Sequence, residues 1–64
     1  MDWYAAGKKI HDAREKIGLT QEELAEIIGV TPASISYYEN GKKRPSFDKI
    51  KKICAVLNLD IAEL

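Results

Sequence analysis

Hydroxyl-bearing side chains and a run of cations stand close together in the middle of this 64-residue chain. Ser34, Ser36 and Tyr37 can donate hydrogen bonds to, or accept them from, the edges of nucleic-acid bases. The segment 42–44, Lys-Lys-Arg, follows soon after, and such cations neutralise phosphate groups. The residue types therefore favour contact with a nucleic acid, provided that both groups lie on one surface.

The segment 20–40 must position these side chains, and it predicts two short helices joined by a tight turn. Thr20 and Glu23 form the Thr-x-x-Glu pattern of a capping box, and Gly29 is placed to end the helix that follows. Thr31-Pro32 opens the next helix, because threonine caps a helix and proline suits the first helical position.

The second helix of the pair, residues 32–40, has two faces on a 3.6-residue wheel. Its inward face carries Ile35, Tyr38 and Glu39. The remaining positions are small or hydrogen-bonding: Pro32, Ala33, Ser34, Ser36, Tyr37 and Asn40. A helix enters the DNA major groove only if its leading residues are slim enough to approach the base edges, and proline and alanine satisfy that condition. The competing interpretation is an ordinary solvated surface.

Gln21 stands at the start of the first helix of the pair, on the face that continues into Leu24. A phosphate at that N-terminus would meet free N–H groups and a favourable helix dipole. The glutamine amide adds a neutral donor and could brace the tip of the second helix of the pair. The alternative is a helix-favouring surface residue.

Helices on both sides of the pair supply the rest of the core. Asp2 is placed to cap a helix from about Trp3 to Lys16, Ser46 to cap one that ends near Leu57, and Asp60 to start a last, short one. The flanking helices and the first helix of the pair have these predicted inward residues: Trp3, Ala6, Gly7, Ile10, Ala13, Arg14 and Ile17; Leu24, Ala25 and Ile28; Phe47, Ile50, Ile53, Cys54 and Leu57. Without any strand pattern, the prediction is a single all-α domain of five helices over residues 1–64.

Arg14 interrupts the apolar stripe of the first helix, where a charge is costly unless it is paired. Glu39 is the one acid that also lies clearly on an inward face. We therefore expect an ion pair that joins the first helix to the end of the third and fixes the tilt of the latter. In the alternative, Arg14 extends its methylenes along the core and keeps its charge in solvent.

Composition indicates a globular domain, and its charges are unevenly distributed along the chain. The chain is 45% hydrophobic and 31% charged, which is typical of a globular domain. A net charge of zero counts against nucleic-acid binding, but Lys42–Lys52 holds six cations against the single acid Asp48. Lys49, Lys51 and Lys52 are expected on the wet face of their helix.

No catalytic or metal centre is expected. One cysteine excludes an internal disulfide, and no Cys/His group has zinc-ligand spacing. Cys54 is predicted to be a small buried hydrophobe and His11 to face solvent. Without a nucleophile–base set or a glycine-rich phosphate loop, we predict no enzyme, no cofactor and no small-molecule site. Short apolar runs and an N-terminus without a signal-peptide pattern predict a cytoplasmic protein without a membrane span.

The spacing of several motifs resembles that of the phage-repressor-like helix-turn-helix domains of the Cro/XRE type. The resemblance covers nearly the whole chain and rests on these residues: Gly7-x-x-Ile10, Arg14, Gly18-Leu19-Thr20-Gln21-x-x-Leu24-Ala25, Gly29-Val30-Thr31, Ile35-Ser36, Glu39-Asn40-Gly41, Arg44-Pro45 and Leu57 to Leu64. It implies a compact, lambda-repressor-like five-helix domain that binds double-stranded operator DNA, usually as a two-fold dimer on a palindrome.

The resemblance also implies residue roles. Gln21 would touch phosphate and support the recognition helix, and Arg14 would pair with Glu39. The implied DNA-contacting set is Thr20, Gln21, Thr31, Pro32, Ala33, Ser34, Ser36, Tyr37, Asn40, Lys42, Lys43 and Arg44. Family members often have long polar side chains where this chain has Pro32 and Ala33, which leaves more specificity to Ser34, Tyr37 and DNA shape.

Two functions follow as hypotheses. The first is a sequence-specific, repressor-like regulator of transcription that dimerises through apolar residues at the chain end, Leu59, Ile61 and Leu64. The alternative is a protein-interaction domain of the same fold without DNA binding, in which Ile27, Tyr37 or Trp3 would contact a partner chain.

Overall fold

The computed structural model describes all residues 1–64, which form four α-helices and a short 3-10 turn. The helices are α1 (Trp3–Ile17), α2 (Gln21–Ile28), α3 (Pro32–Glu39) and α4 (Phe47–Leu57), and the 3-10 turn spans Ile61–Glu63. The all-α prediction is confirmed, and the fifth helix is a single turn. None of these segments has the length and apolar composition needed to cross a membrane.

Local side-chain hydrogen bonds begin each α-helix. The Asp2, Thr31 and Ser46 side chains each accept a bond from the backbone N–H three residues on. Thr20 does the same within a complete capping box, in which the Glu23 carboxylate accepts from the Thr20 N–H at 2.9 Å. These caps satisfy donors that a helix leaves free at its start, which fixes where the elements begin.

The core lies where all four helices meet. Its buried apolar side chains are Ile10, Leu24, Ala25, Ile28, Ile35, Tyr38, Ile53 and Leu57. Trp3, Val30, Leu59 and Leu64 are partly buried and pack against this cluster. Trp3 therefore belongs to the domain's own packing, which removes it from the surface proposed for a partner chain.

The prediction of an inward position is wrong for two residues. Ile17 is 50% exposed and Phe47 is 64% exposed. Both occupy terminal turns, Ile17 the last residue of α1 and Phe47 the first of α4, where the neighbouring helices no longer extend far enough to cover them. The Lys51 ammonium lies 5.2 Å from the centroid of the exposed Phe47 ring, so this ring has a cation–π contact in place of core packing.

Lys49 also departs from its predicted solvated position. It is half-buried, and its Nζ donates to the Ile28 carbonyl oxygen at 3.4 Å. Carbonyls at a helix C-terminus lack intrahelical donors and carry partial negative charge, so a lysine is well suited to this end of α2. Cys54 is buried as predicted, and that burial raises the pKa of its thiol.

Gly7 allows α1 to approach the end of α3 closely. A β-carbon at this position would clash with the carbonyl oxygen of Tyr38 and lie 2.9 Å from that of Glu39. Both neighbours are backbone atoms, which cannot rotate out of the way. The absence of a side chain at Gly7 therefore sets the distance between α1 and the C-terminal end of α3.

Candidate nucleic-acid interface

The N-terminal end of α3 is slim, exposed and uncharged. Pro32 and Ala33 are exposed, and Ser34 beside them is half-buried. The Thr31 hydroxyl accepts from the Ser34 N–H at 3.1 Å and donates to the Ser34 hydroxyl oxygen at 3.0 Å. The Ser34 hydroxyl is thus held beside Thr31 at the start of α3 and can both donate and accept hydrogen bonds.

One turn further along, α3 presents a larger polar group. Tyr37 is 48% exposed, and its side chain makes no hydrogen bond within the protein. Asn40 Nδ2 donates to Ser36 Oγ at 3.3 Å, which holds these two predicted contact residues together on the same side of the helix. The exposed surface of α3 thus carries small side chains at its N-terminal end and the phenol ring of Tyr37 one turn further along.

The basic linker is anchored to the end of α3. The backbone N–H groups of Lys42 and Lys43 both donate to the Tyr37 carbonyl oxygen, at 2.9 and 3.3 Å. Lys42, Lys43 and Arg44 have exposed side chains, and none of them forms an ion pair within the chain. Their three charges therefore remain available to an anionic ligand at one edge of the α3 surface.

The N-terminus of α2 supplies a second group of donors. The Thr20 side chain occupies the Glu23 N–H, which leaves the N–H groups of Gln21 and Glu22 in the first turn without an intrahelical acceptor. Such donors and the helix dipole suit a phosphate oxygen. Glu22 and Glu23 are acidic residues of this same first turn, and Glu23 is engaged in the capping box, so the donors stand beside exposed carboxylates.

Behind this surface, one carboxylate ties α3 to α1 and α2. Arg14 Nε donates to Glu39 Oε2 at 2.6 Å, and Arg14 Nη2 donates to Oε1 at 3.2 Å. The side chains are 9% and 2% exposed. Arg14 Nη1 also donates to the Leu19 carbonyl oxygen at 2.7 Å, so the guanidinium bridges α3 and the turn before α2.

Gln21 is half-buried, and its amide reaches the same carboxylate. Its Nε2 donates to Glu39 Oε1 at 3.0 Å. The sequence suggested that Gln21 braces the tip of α3; the structure shows that it braces the opposite end. Its second Nε2 proton takes no part in this bond and is the donor left for a phosphate oxygen.

His11 is a member of this cluster that sequence reasoning missed. Its Nδ1 lies 2.8 Å from Glu39 Oε1 and its Nε2 lies 3.1 Å from Glu15 Oε1. The prediction that His11 simply faces solvent is therefore wrong, since the side chain is 40% exposed but engaged at both nitrogens. The available signal was its position three residues before Arg14, on a neighbouring turn of the same face.

These contacts shift the ionisation of the clustered groups. Burial opposes ionisation of Glu39, but hydrogen bonds from Arg14, His11 and Gln21 outweigh it and lower the pKa of the carboxyl. The hydrogen bond to Glu39 raises the pKa of His11 against the opposing effect of burial. Glu39 is therefore a stable anion that favours cationic partners.

Comparisons with known proteins agree with this geometry. A family model described as helix-turn-helix matches residues 10–64. An HTH-type transcriptional regulator of Archaeoglobus fulgidus is 43% identical over 56 residues, which cover 88% of this chain and 80% of that protein.

Two solved structures are also similar. The clp gene regulator ClgR of Corynebacterium glutamicum has a TM-score of 0.90 at 30% identity, covering 98% of this chain and 67% of that one. The restriction-modification controller protein C.AhdI of Aeromonas hydrophila has a TM-score of 0.87 at 27% identity, covering 97% and 94%.

Proposed function

Because this chain belongs to the helix-turn-helix family, we propose that it is a DNA-binding transcriptional regulator of repressor-like type. In this proposal α3 enters the major groove of a palindromic operator in the cytoplasm, and the protein acts by binding and not by catalysis. The observation that carries the proposal is the slim, exposed face of α3, flanked by free N–H groups at the start of α2 and by three unpaired cations at 42–44.

Base reading falls to the exposed face of α3. The Ala33 methyl suits contact with a thymine methyl, Ser34 offers a hydroxyl that can donate or accept, and Tyr37 offers a hydroxyl that no protein group occupies. Pro32 and Ala33 lack the long polar groups that form paired contacts with guanine or adenine. Specificity therefore depends on few direct contacts and to a larger extent on DNA shape.

Phosphate contacts fall to the flanks of α3. The α2 N-terminus, with Thr20 and Gln21, offers one group of donors, and Asn40 with the linker 42–44 offers a second group beyond the end of α3. Thr31 at the start of α3 and Ser36 further along it complete the proposed contact set. The zero net charge is compatible with this arrangement because the three cations of the segment 42–44 are exposed and unpaired, while Glu26 lies further along α2.

We further propose that the protein binds as a two-fold dimer, since a palindrome presents two half-sites about 34–36 Å apart. Leu59, Ile61 and Leu64 remain partly exposed at the end of the chain. The exposed Ile17 adjoins Leu59 around a shared apolar depression, which extends this surface onto α1. Sedimentation equilibrium should give twice the chain mass, and Leu59→Asp should shift it towards the monomer; an unchanged mass would argue for another interface.

The direct test is selection of bound sequences from a random duplex pool, followed by affinity measurements on the selected site. We expect Tyr37→Ala to reduce discrimination against a mismatched base by about 1–3 kcal/mol. Lys43→Ala should weaken binding to duplexes of every sequence by the same factor. It should also reduce the slope of log affinity against log salt concentration by about one. Lys52→Ala is the matched control, because Lys52 is an exposed lysine of α4 that belongs neither to the proposed contact set nor to the apolar depression proposed for the dimer. Failure to bind any duplex at low salt would exclude the proposal.

A further inference from the structure

The His11 ring lies between two carboxylates, which constrains its protonation state. Nδ1 faces Glu39 Oε1 at 2.8 Å and Nε2 faces Glu15 Oε1 at 3.1 Å. An ionised carboxylate only accepts hydrogen bonds, and a neutral imidazole has a single N–H to donate. Only the imidazolium form, with a proton on each nitrogen, can satisfy both contacts.

The two oxygens of Glu39 are not equally occupied. Oε2 receives one bond, from Arg14 Nε, whereas Oε1 is within hydrogen-bond distance of His11 Nδ1, Gln21 Nε2 and Arg14 Nη2. A carboxylate oxygen has two lone pairs, so three donors compete for them. Hydrogen bonds from charged donors are roughly twice as strong as those from neutral ones. The charge on His11 therefore decides how firmly the neutral Gln21 amide is held.

Other charged and titratable groups near the ring come from the helices packed around it. On α1, Tyr4, Lys8 and Asp12 line a polar depression together with His11, and Arg14 Nη2 lies 3.2 Å from Nδ1. Glu39 is the charged group from α3. The Glu22 carboxylate of α2 favours the charged form of Arg14. Among the groups in direct contact with His11, two carboxylates favour the imidazolium and one guanidinium opposes it. The raised pKa of His11 agrees with that excess of negative charge.

We propose that His11 is a proton-dependent positioning residue for DNA binding. As an imidazolium it occupies Glu39 Oε1, fixes the C-terminal end of α3 against α1, and releases the Gln21 amide to a DNA phosphate. DNA affinity is then higher on the acid side of the His11 titration. The inference rests on the proposed function, because it concerns how strongly the same surface binds DNA.

The test is the pH dependence of affinity for a fluorescein-labelled random-sequence duplex of roughly 20 base pairs, at constant ionic strength because salt alone changes affinity. His11 is the only histidine, so few other groups ionise between about pH 5.5 and pH 8.5. We expect affinity to fall by about three- to tenfold across this range, since a difference of one pKa unit between free and bound protein corresponds to tenfold.

Three variants separate the source of this effect. His11→Gln keeps one donor but cannot titrate, so it should flatten the profile, leaving only the change due to the chain's amino terminus. Glu15→Gln removes a carboxylate that favours the imidazolium, so it should move the midpoint to lower pH. Asp12→Asn, a matched loss of charge that makes no hydrogen bond to His11, should leave the shape unchanged. Parallel profiles for the wild type and His11→Gln would overturn the inference.

A measurement without DNA keeps the inference independent of variant folding. In wild-type protein, the NMR signals of the Gln21 side-chain amide should titrate with the same midpoint as the His11 ring protons. Gln21 signals that do not move with His11 would overturn the coupling even if DNA affinity varied with pH. Absence of DNA binding at every pH would instead overturn the proposed function, and the DNA half of the inference with it, while the NMR titration would still decide the coupling between His11 and Gln21.

Discussion

The N-terminal tip of α3 is held by a single threonine side chain, whereas its C-terminal base is held by four side-chain hydrogen bonds converging on one carboxylate. At the tip, Thr31 bonds only to Ser34, three residues away. At the base, Glu39 receives donors from two other helices and the helix backbones touch at Gly7. The side-chain hydrogen bonds at the end that would approach bases are thus local, whereas those at the opposite end fix where the helix lies.

Among the substitutions at the two ends of α3, removal of Arg14 should lower the free energy of unfolding most. Arg14→Ala leaves Glu39, with a side chain only 2% exposed, as a buried and poorly paired anion. Breaking a buried pair in this way costs about 3–5 kcal/mol, which is a large part of the stability of so small a domain. Urea unfolding followed by circular dichroism measures the loss. Lys16→Ala, an exposed cation on the same helix, should change little; equal effects in the two variants would contradict the role of the pair.

Gly7→Ala tests the close approach of the two backbones. Replacing glycine by alanine inside a helix normally stabilises it by about 0.5–1 kcal/mol. Here the new methyl group meets the carbonyl oxygens of Tyr38 and Glu39, and we expect a net loss of about 1–3 kcal/mol. The sign of the change in unfolding free energy is the measurement that decides, since any stabilisation would mean that α1 and α3 can separate without cost.

Thr31→Ala should give a smaller effect at the tip. It removes the cap of α3 and the hydrogen bond to the Ser34 hydroxyl, at a cost of about 1 kcal/mol. Thr31→Ser keeps the hydroxyl and serves as the matched control in the same thermal or urea unfolding series. A loss as large as that of Arg14→Ala would remove the distinction between the two ends.

The smallest expected effect is the pH dependence of the stability that His11 contributes. The folded-state pKa of His11 is raised above its ordinary value of about 6.5, so its stabilisation is fully present below that value and is lost as pH rises through the folded pKa. Because the side chain is 40% exposed, solvent screening limits the contribution to less than about 1 kcal/mol. Urea midpoints of wild type and His11→Gln should converge at alkaline pH; a constant difference would show that the His11 charge is irrelevant.

The parts of the fold that could be predicted are those fixed by local hydrogen bonds. Asp2, Thr20, Thr31 and Ser46 cap their helices through donors only three residues away, so sequence spacing contains the necessary information. The same holds for the left-handed residues that end α1 and α2.

Errors occur where the outcome depends on distant chain segments. A helical wheel repeats without limit, but the packing partner of Ile17 and Phe47 does not, so the wheel assigns them to a core that ends before reaching them. His11 and Lys49 were placed by their immediate neighbours, whereas their contacts, Glu39 and Ile28, lie 28 and 21 residues away. Within the candidate site, the DNA-contacting residues remain a prediction from residue types, and those types gave no indication that Gln21 shares a carboxylate with His11.

Trp3, finally, gives the domain an internal optical reporter. It is the only tryptophan in the chain, it packs against the core from the first residue of α1, and its indole Nε1 is buried without a hydrogen-bond partner. Indole emission responds to the polarity of its surroundings, so release of α1 into water should shift the spectrum to longer wavelength. The anchoring of α1, on which the position of α3 depends, can therefore be followed in the unmodified protein.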